Sequence, residues 1–303
     1  MSKKVWPKKQ KSPMGKFTIK QFQAMFPNDD VCLEWLRNYL YPETIVCENC
    51  GKEAKYYRIS TRKVYGCEWC GHQISPTANT IFHKSRTPLT IWFYTIYLMA
   101  QTSGGISAKQ IERETGVTYK TAWRICNQIR KMLEDDQDPF SGEVEIDESY
   151  FGGKMKGGKR GRGSENKTPV VGMVERGGKL EVHTVEDVKA KTILPMVKLN
   201  VQPGTTVYTD EFRVYDALPA MGYDHGVIQH SDKVYVVGNV HTNTIEGFWS
   251  LVKNGIRGVY HSVSSTYLQD YLNEYAFRYN NRNQITPMFF LFLRRVALGR
   301  SSV

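Results

Sequence analysis

Val144-Glu145-Ile146-Asp147-Glu148-Ser149-Tyr150-Phe151-Gly152-Gly153 sets two demands against each other. Apolar and polar residues alternate from Val144 through Ile146 and a glycine pair ends the run, which predicts a β-strand. A carboxylate in the middle of such a strand needs a partner, because burying an unpaired charge costs several kcal/mol. A metal ion shared with acids elsewhere in the chain meets that need. Two candidates lie downstream, Asp210 in Thr206-Val207-Tyr208-Thr209-Asp210 and Glu246 in His241-Thr242-Asn243-Thr244-Ile245-Glu246. Strand alternation places Asp147 and Glu148 on opposite faces, so only one of the two is expected to face a shared site.

Around this strand the sequence predicts a domain from residue 139 onward. Strands are expected at Val144–Tyr150, Thr168–Val174 and Leu180–Val185, then a helix at Lys191–Leu199 and a strand at Thr205–Thr209 that delivers Asp210. A short helix around Tyr215–Leu218, a strand at Gly226–Gln229 and a helix from about Thr244 complete the order. The order β-β-β-α-β-α-β-α predicts a mixed sheet flanked by helices. Divalent-metal phosphoryl transfer needs carboxylates that are distant in sequence and meet at one sheet edge. There they hold two ions about 3.5–4 Å apart. Asp147, Asp210 and Glu246 fit that requirement.

Glu246 and Lys253 are two helical turns apart and share a face, which puts a cation beside a carboxylate ligand. Lys253 and Arg257 are the DNA-contacting candidates of this helix. Asn243-Thr244-Ile245-Glu246 also reads as a capping box, with Asn243 as N-cap and Glu246 at the third helical position.

With 303 residues, 41% hydrophobic and 23% charged, the chain has the composition of a globular protein with a catalytic domain and small modules. No run approaches the roughly 18 apolar residues of a membrane span. The first sixteen residues carry six lysines and no acid, yet no apolar region follows, so a secretory signal is not expected. The expected compartment is the cytoplasm. The formal net charge of +11 points to a polyanionic partner, because the charge is clustered. One cluster is the tail, residues 1–16. The other is a glycine-rich basic loop whose Lys154, Lys156, Lys159, Arg160 and Arg162 are expected to clamp phosphates.

Between these clusters lie two smaller modules. Cys47-Glu48-Asn49-Cys50-Gly51 and Cys67-Glu68-Trp69-Cys70-Gly71 are two CxxC knuckles separated by sixteen residues, the spacing of a zinc ribbon. Cys47, Cys50, Cys67 and Cys70 are expected to hold one structural Zn²⁺, which closes a segment too small to hold itself by core burial. Cys32 sits on an apolar face and is expected to be a buried thiol. Farther on, Ala108–Gly116 followed by Tyr119–Leu133 reads as helix, glycine turn, helix, the order of a helix-turn-helix. Ile111, Val117, Ala122 and Ile125 would pack the pair together. Tyr119, Lys120, Trp123 and Arg124 would stand at the exposed start of the second helix, toward DNA. The expected division is a basic tail (1–16), a helical segment with the zinc ribbon (17–86), the helix-turn-helix module (87–138) and the catalytic domain (139–303).

Taken together, the zinc ribbon, the helix pair, Ile146-Asp147-Glu148-Ser149, Tyr208-Thr209-Asp210 and His241-Thr242-Asn243-Thr244-Ile245-Glu246-Gly247-Phe248-Trp249 resemble the ISXO-like insertion-sequence transposases of the DDE superfamily. Phe277-Arg278-Tyr279-Asn280-Asn281-Arg282 resembles that family's closing helix, and the likeness covers roughly residues 30–290. It implies a ribonuclease-H-like fold, dependence on Mg²⁺ or Mn²⁺, binding of double-stranded terminal inverted repeats and target DNA, and cut-and-join chemistry on paired ends held by a homodimer or larger homo-oligomer. Family members differ over asparagine or glutamate as third ligand. Asn243 is therefore the alternative to Glu246, which the spacing to Lys253 favours. Two other readings stay open: a metal-dependent nuclease that stops after hydrolysis, and a DNA-binding regulator with an inert triad.

Overall fold

The structure, a computed structural model, describes residues 14–134, 138–152, 167–228 and 241–298. The basic tail up to residue 13 and the loop bearing Lys154, Lys156, Lys159, Arg160 and Arg162 lie outside the described residues.

Pro27-Asn28 divides the first helical segment as expected, into α1 (Ile19–Met25) and α2 (Asp29–Leu40). Each starts on a side-chain cap: Thr18 exchanges bonds with Gln21 in a capping box, and Asn28 accepts from the Val31 amide. Five short strands follow, β1 (Ile45–Val46), β2 (Glu53–Ala54), β3 (Tyr56–Ile59), β4 (Val64–Cys67) and β5 (Gln73–Ile74). They form a two-stranded ladder, β1 with β2, and a three-stranded antiparallel sheet in the order β3-β4-β5. α3 (Leu89–Gln101) buries Leu89, Trp92, Phe93, Ile96 and Met99 almost completely, the pattern of a central helix.

Two helices, α4 (Ala108–Thr115) and α5 (Tyr119–Met132), are joined by a turn in which Gly116 ends α4. Ile111, Ala122 and Ile125 are fully buried, as the sequence predicts, and Val117 is half-buried. The sheet domain then runs β6 (Glu143–Phe151), β7 (Thr168–Glu175), β8 (Leu180–Thr184), α6 (Ala190–Asn200), β9 (Thr206–Asp210), β10 (Asp224–Ile228), α7 (Asn243–Gly255) and α8 (Ser265–Asn280). The sheet order is β10-β9-β6-β7-β8. β6, β7 and β8 form an antiparallel meander, and β9 and β10 run parallel to β6.

β6 is therefore the central strand and is covered on both faces. One face packs Val144, Ile146, Val171, Met173 and Val207 against Ile193 and Val197 of α6 and against Tyr215. The other packs Phe151, Val170 and Val174 against Ile245, Phe248, Trp249 and Val252 of α7 and Leu268 and Leu272 of α8. Full burial of each such side chain contributes about 1.5–3 kcal/mol, which fixes α7 over the sheet. Gly172 lies opposite Asp147 in the β6–β7 ladder, and a Cβ there would meet the Trp249 ring at 2.6 Å. Only glycine lets the indole lie on the strand at that point.

α9 (Met288–Leu298) brings Phe289 against Phe17, Phe22 and Phe26 of the N-terminal segment. Packing divides the chain into two units, residues up to Gln101 with those from Asn281, and Thr102–Asn280. The helix pair α4–α5 thus shares a unit with the sheet. Arg130 of α5 pairs with Glu274 of α8 at 2.8 Å, both side chains almost wholly buried. None of the helices among the described residues is long and apolar enough to cross a membrane.

Candidate active site

β9 pairs with β6 only over Glu143–Glu145, against Thr206–Tyr208. Past that point the two strands separate, and each carries an aspartate two residues beyond the last pair: Asp147 on β6 and Asp210 at the end of β9. Carboxylate oxygens of Asp147, Glu148 and Asp210 all lie within 4.8 Å of one another. Alternation does send the two β6 acids to opposite faces: Asp147 accepts from the Trp249 indole on the α7 side at 3.1 Å, and Glu148 accepts from the Tyr215 hydroxyl on the other. The expectation that only one of them reaches the site is nevertheless corrected. The splayed strands leave an open edge, and both carboxylates reach it.

This concentration of negative charge has an electrostatic signature. Burial, then the neighbouring Glu148 and Asp210, and to a smaller extent Glu246, push the Asp147 carboxyl up to about 7. A divalent cation among these oxygens would remove that repulsion, so the donor set and its geometry fit a hard metal ion.

Glu246 is brought to the same place by a residue that sequence reasoning passed over. Glu145, fully buried on β6, accepts hydrogen bonds from the Thr244 amide (2.8 Å), the Ile245 amide (3.1 Å) and the Thr244 hydroxyl (2.9 Å). These are the first amides of α7, which have no acceptor within the helix. Arg176 pairs with Glu145 at 2.9 Å and also donates to the His241 carbonyl at 2.7 Å, so the entry to α7 is pinned twice. The available signal was Glu145 itself, an acid two residues before Asp147 and on the same strand face. Trp249 and Tyr215 were missed as well; the only hint of the indole's place was the glycine inside β7.

The capping box expected from Asn243 does not form. The N-cap of α7 is Thr242, and Asn243 is the first helical residue. The Thr242 hydroxyl donates to Glu246 at 2.9 Å. Because Glu145 already serves the helix amides, no side chain at the N-cap position is needed for them.

One hollow of about 330 Å³ is lined by Asp147, Glu148, Glu246, Trp249, Lys253 and Arg257, among others. The structure thus gathers four of the sequence-predicted residues around it, with Asp210 joining through the carboxylate cluster. Asn243 is exposed and does not line it. Burial lowers the Lys253 pKa, while the nearby Asp147 opposes that shift.

In the N-terminal unit the four knuckle thiols converge. Cys47 Sγ lies 3.6 Å from Cys70 Sγ, and Cys50 Sγ lies 4.0 Å from Cys67 Sγ. Four sulfurs at about 2.3 Å from a tetrahedral zinc sit roughly 3.8 Å apart, so the cluster fits that ion. Gly51 and Gly71 have positive φ (70° and 74°) and donate to the Cys47 and Cys67 carbonyls, closing each knuckle. Cys32 is buried and apart, as expected.

At the start of α5, Tyr119 and Lys120 are exposed. Trp123 and Arg124 are half-buried, and the Trp123 ring meets Tyr267 of α8 edge-on at 5.0 Å.

Comparison with known proteins agrees with this geometry. Residues 139–280 match the ISXO2-like transposase domain, and residues 27–73 match the transposase zinc-ribbon domain. The chain is 30% identical over 254 residues to an uncharacterized protein in transposable element ISH50 of Halobacterium salinarum, covering 77% of this chain and 85% of that protein. It is 32% identical over 105 residues to an uncharacterized transposase-like protein of Haemophilus influenzae, covering 34% of this chain and 84% of that one. A mixed sheet with an acidic edge, a four-thiol ribbon and these relatives agree: the chain belongs to the ISXO2-like transposase family of insertion sequences.

Proposed function

We propose that the protein is the DNA transposase of an insertion sequence, cutting DNA at the element's ends and joining the freed ends to target DNA. The observation that carries the reading is the meeting of Asp147, Glu148 and Asp210 within 4.8 Å at one sheet edge, with Glu246 across the same hollow. In this reading Asp147, Asp210 and Glu246 would hold two Mg²⁺ or Mn²⁺ ions, with Glu148, bonded to the Tyr215 hydroxyl, beside them in the same cluster. The ions supply charge stabilisation to the attacking and leaving oxygens of an in-line displacement. The chain's own residues do the rest: Trp249 orients Asp147, Glu145 fixes the height of α7 over the sheet, and Lys253 and Arg257 hold DNA phosphates beside the carboxylates. Asn243, exposed at the helix entry, is the weaker choice for third ligand.

The sheet with its acidic edge supports a ribonuclease-H-like fold. The α4–α5 pair, with Tyr119, Lys120, Trp123 and Arg124, supports a helix-turn-helix that reads the terminal inverted repeats. Lys154, Lys156, Lys159, Arg160 and Arg162 would add phosphate contacts without regard to sequence. The partner is double-stranded DNA on paired ends, which asks for a homodimer or larger assembly, and the place of action is the cytoplasm at the nucleoid.

The test is a duplex carrying the element's terminal repeat, incubated with Mg²⁺ and supercoiled target. Cleavage at the repeat followed by joined product is the expected result. Cleavage without joining would make the protein a nuclease, and binding without cleavage would make it a regulator.

A further inference from the structure

We propose that a second groove, separate from the carboxylate hollow, takes one unpaired nucleotide of the bound DNA. The groove has a volume of about 500 Å³ and lies between α4, the start of α5 and the chain entering α8. Five Tyr and Trp rings line it, Tyr119 and Trp123 from α5, Tyr260 from the chain before α8, and Tyr267 and Tyr271 from α8. Lys109 and Arg113 supply positive charge from α4, and no carboxylate is among the lining residues. Lys109 already pairs with Glu112 at 2.5 Å. Arg113 is exposed and has no acidic partner among the described residues, so its charge is available to a ligand.

The floor is braced by contacts of its own. The Arg130 guanidinium lies 4.0 Å from the centre of the Tyr271 ring and is itself paired with buried Glu274. Trp123 and Tyr267 meet edge-on, which holds both rings upright. Such preorganised rings lose little freedom on binding a flat ligand.

Flat rings beside a free guanidinium match a ligand with a planar face and a phosphate. Paired bases in a duplex are stacked and present only their edges, so intact DNA cannot use these ring faces. An unstacked nucleotide can, with its base on the aromatic rings and its phosphate at Arg113. The volume falls within the usual range of small-molecule pockets, about 300–1,000 Å³. The inference rests on the DNA-binding reading above and adds to it a preference for a locally opened duplex.

The test uses the full chain and fluorescence anisotropy. One probe is the fully paired terminal repeat, and the others are the same duplex with a single unpaired thymidine moved stepwise along it. A bulge at one position is expected to raise affinity roughly tenfold over the paired duplex. Tyr267→Leu is expected to abolish that preference while paired-duplex affinity is retained, and Tyr267→Phe, which keeps the ring, to preserve it. Arg113→Gln, at an exposed position, tests the groove without disturbing the core and should cut the preference to about a third. Normal binding of paired duplex with no bulge preference at any position would overturn the groove's role and leave the DNA reading standing. An undiminished preference in both Tyr267→Leu and Arg113→Gln would also overturn it. Binding of none of the duplexes would overturn the DNA reading and this inference together.

Discussion

Glu145 accepts two hydrogen bonds from Thr244, one from its amide at 2.8 Å and one from its hydroxyl at 2.9 Å. Asp147 lies two residues beyond Glu145 on the strand, and Glu246 two residues beyond Thr244 on the helix. This joint between β6 and α7 therefore sets the distance across the acidic hollow. A carboxylate at a helix N-terminus also suits the helix dipole. Replacing it by alanine leaves the Thr244 and Ile245 amides without this acceptor and takes the buried carboxylate away from Arg176.

Glu145→Ala is expected to cost about 3–5 kcal/mol, because one member of a buried charged network is removed and its partners stay buried. Amide exchange at Thr244 and Ile245 should accelerate, and cleavage should fall more than DNA affinity. Urea unfolding and hydrogen exchange check this. A loss of stability below about 0.5 kcal/mol, the level of an ordinary surface change, would show that the joint does not hold the helix.

Cys67→Ser removes one of four converging sulfurs. Protein purified without added metal is expected to contain close to one zinc per chain, and the variant to lose most of it. The ribbon strands are only two to four residues long, so they should open with the metal gone. Metal analysis with protease digestion reads both effects. A full zinc content in a folded Cys67→Ser protein would sink the assignment.

The elements that the sequence made legible are those whose local pattern and burial agree. β6, β7 and β9 appear within a residue or two of their expected bounds, because each is an apolar run closed by polar or glycine residues. The thiol cluster was legible because two short motifs dictate it. Glu145 was not, since its place on the strand marks it as an inward acid but its helix partners lie about a hundred residues away, where no local pattern names them. The N-cap of α7 was misread for the same reason: a local rule pointed to Asn243, and a tertiary contact from Glu145 replaced it. Strand alternation does put Asp147 and Glu148 on opposite faces, but the expectation that only one of them faces the site fails where β6 and β9 part.

Without a divalent ion, stability should fall as pH rises from about 4 to about 7. Burial and then neighbouring carboxylates push Asp147 up to about 7, whereas an aspartate in an unfolded chain titrates near 3.9. Across that window the folded protein keeps a proton that the unfolded chain has released, so rising pH favours unfolding. A cation competes with the same proton. Mg²⁺ should therefore raise the thermal midpoint more at about pH 8 than at about pH 6, and Asp147→Asn should remove the difference. Equal Mg²⁺-induced shifts at both pH values would show that Asp147 does not meet the ion.

The third carboxylate can be told from its asparagine rival by two substitutions. Glu246 accepts a bond from the Thr242 hydroxyl, and a glutamine oxygen can accept the same bond. Glu246→Gln should therefore fold with a thermal midpoint close to the parent and bind terminal DNA. It loses a negative charge and an ion-binding oxygen, so Mg²⁺-dependent nicking should drop by at least about a hundredfold, beyond the usual cost of disturbing an outer-shell partner. Asn243 is exposed at the first helical position and lies outside the hollow, and the helix amides behind it are served by Glu145. Asn243→Ala should thus keep both stability and nicking near the parent's level. Nicking assays on the two folded variants decide the matter. An active Glu246→Gln protein beside an inactive Asn243→Ala protein of unchanged stability would make Asn243 the ligand, and would mean that α7 turns its other side to the ions.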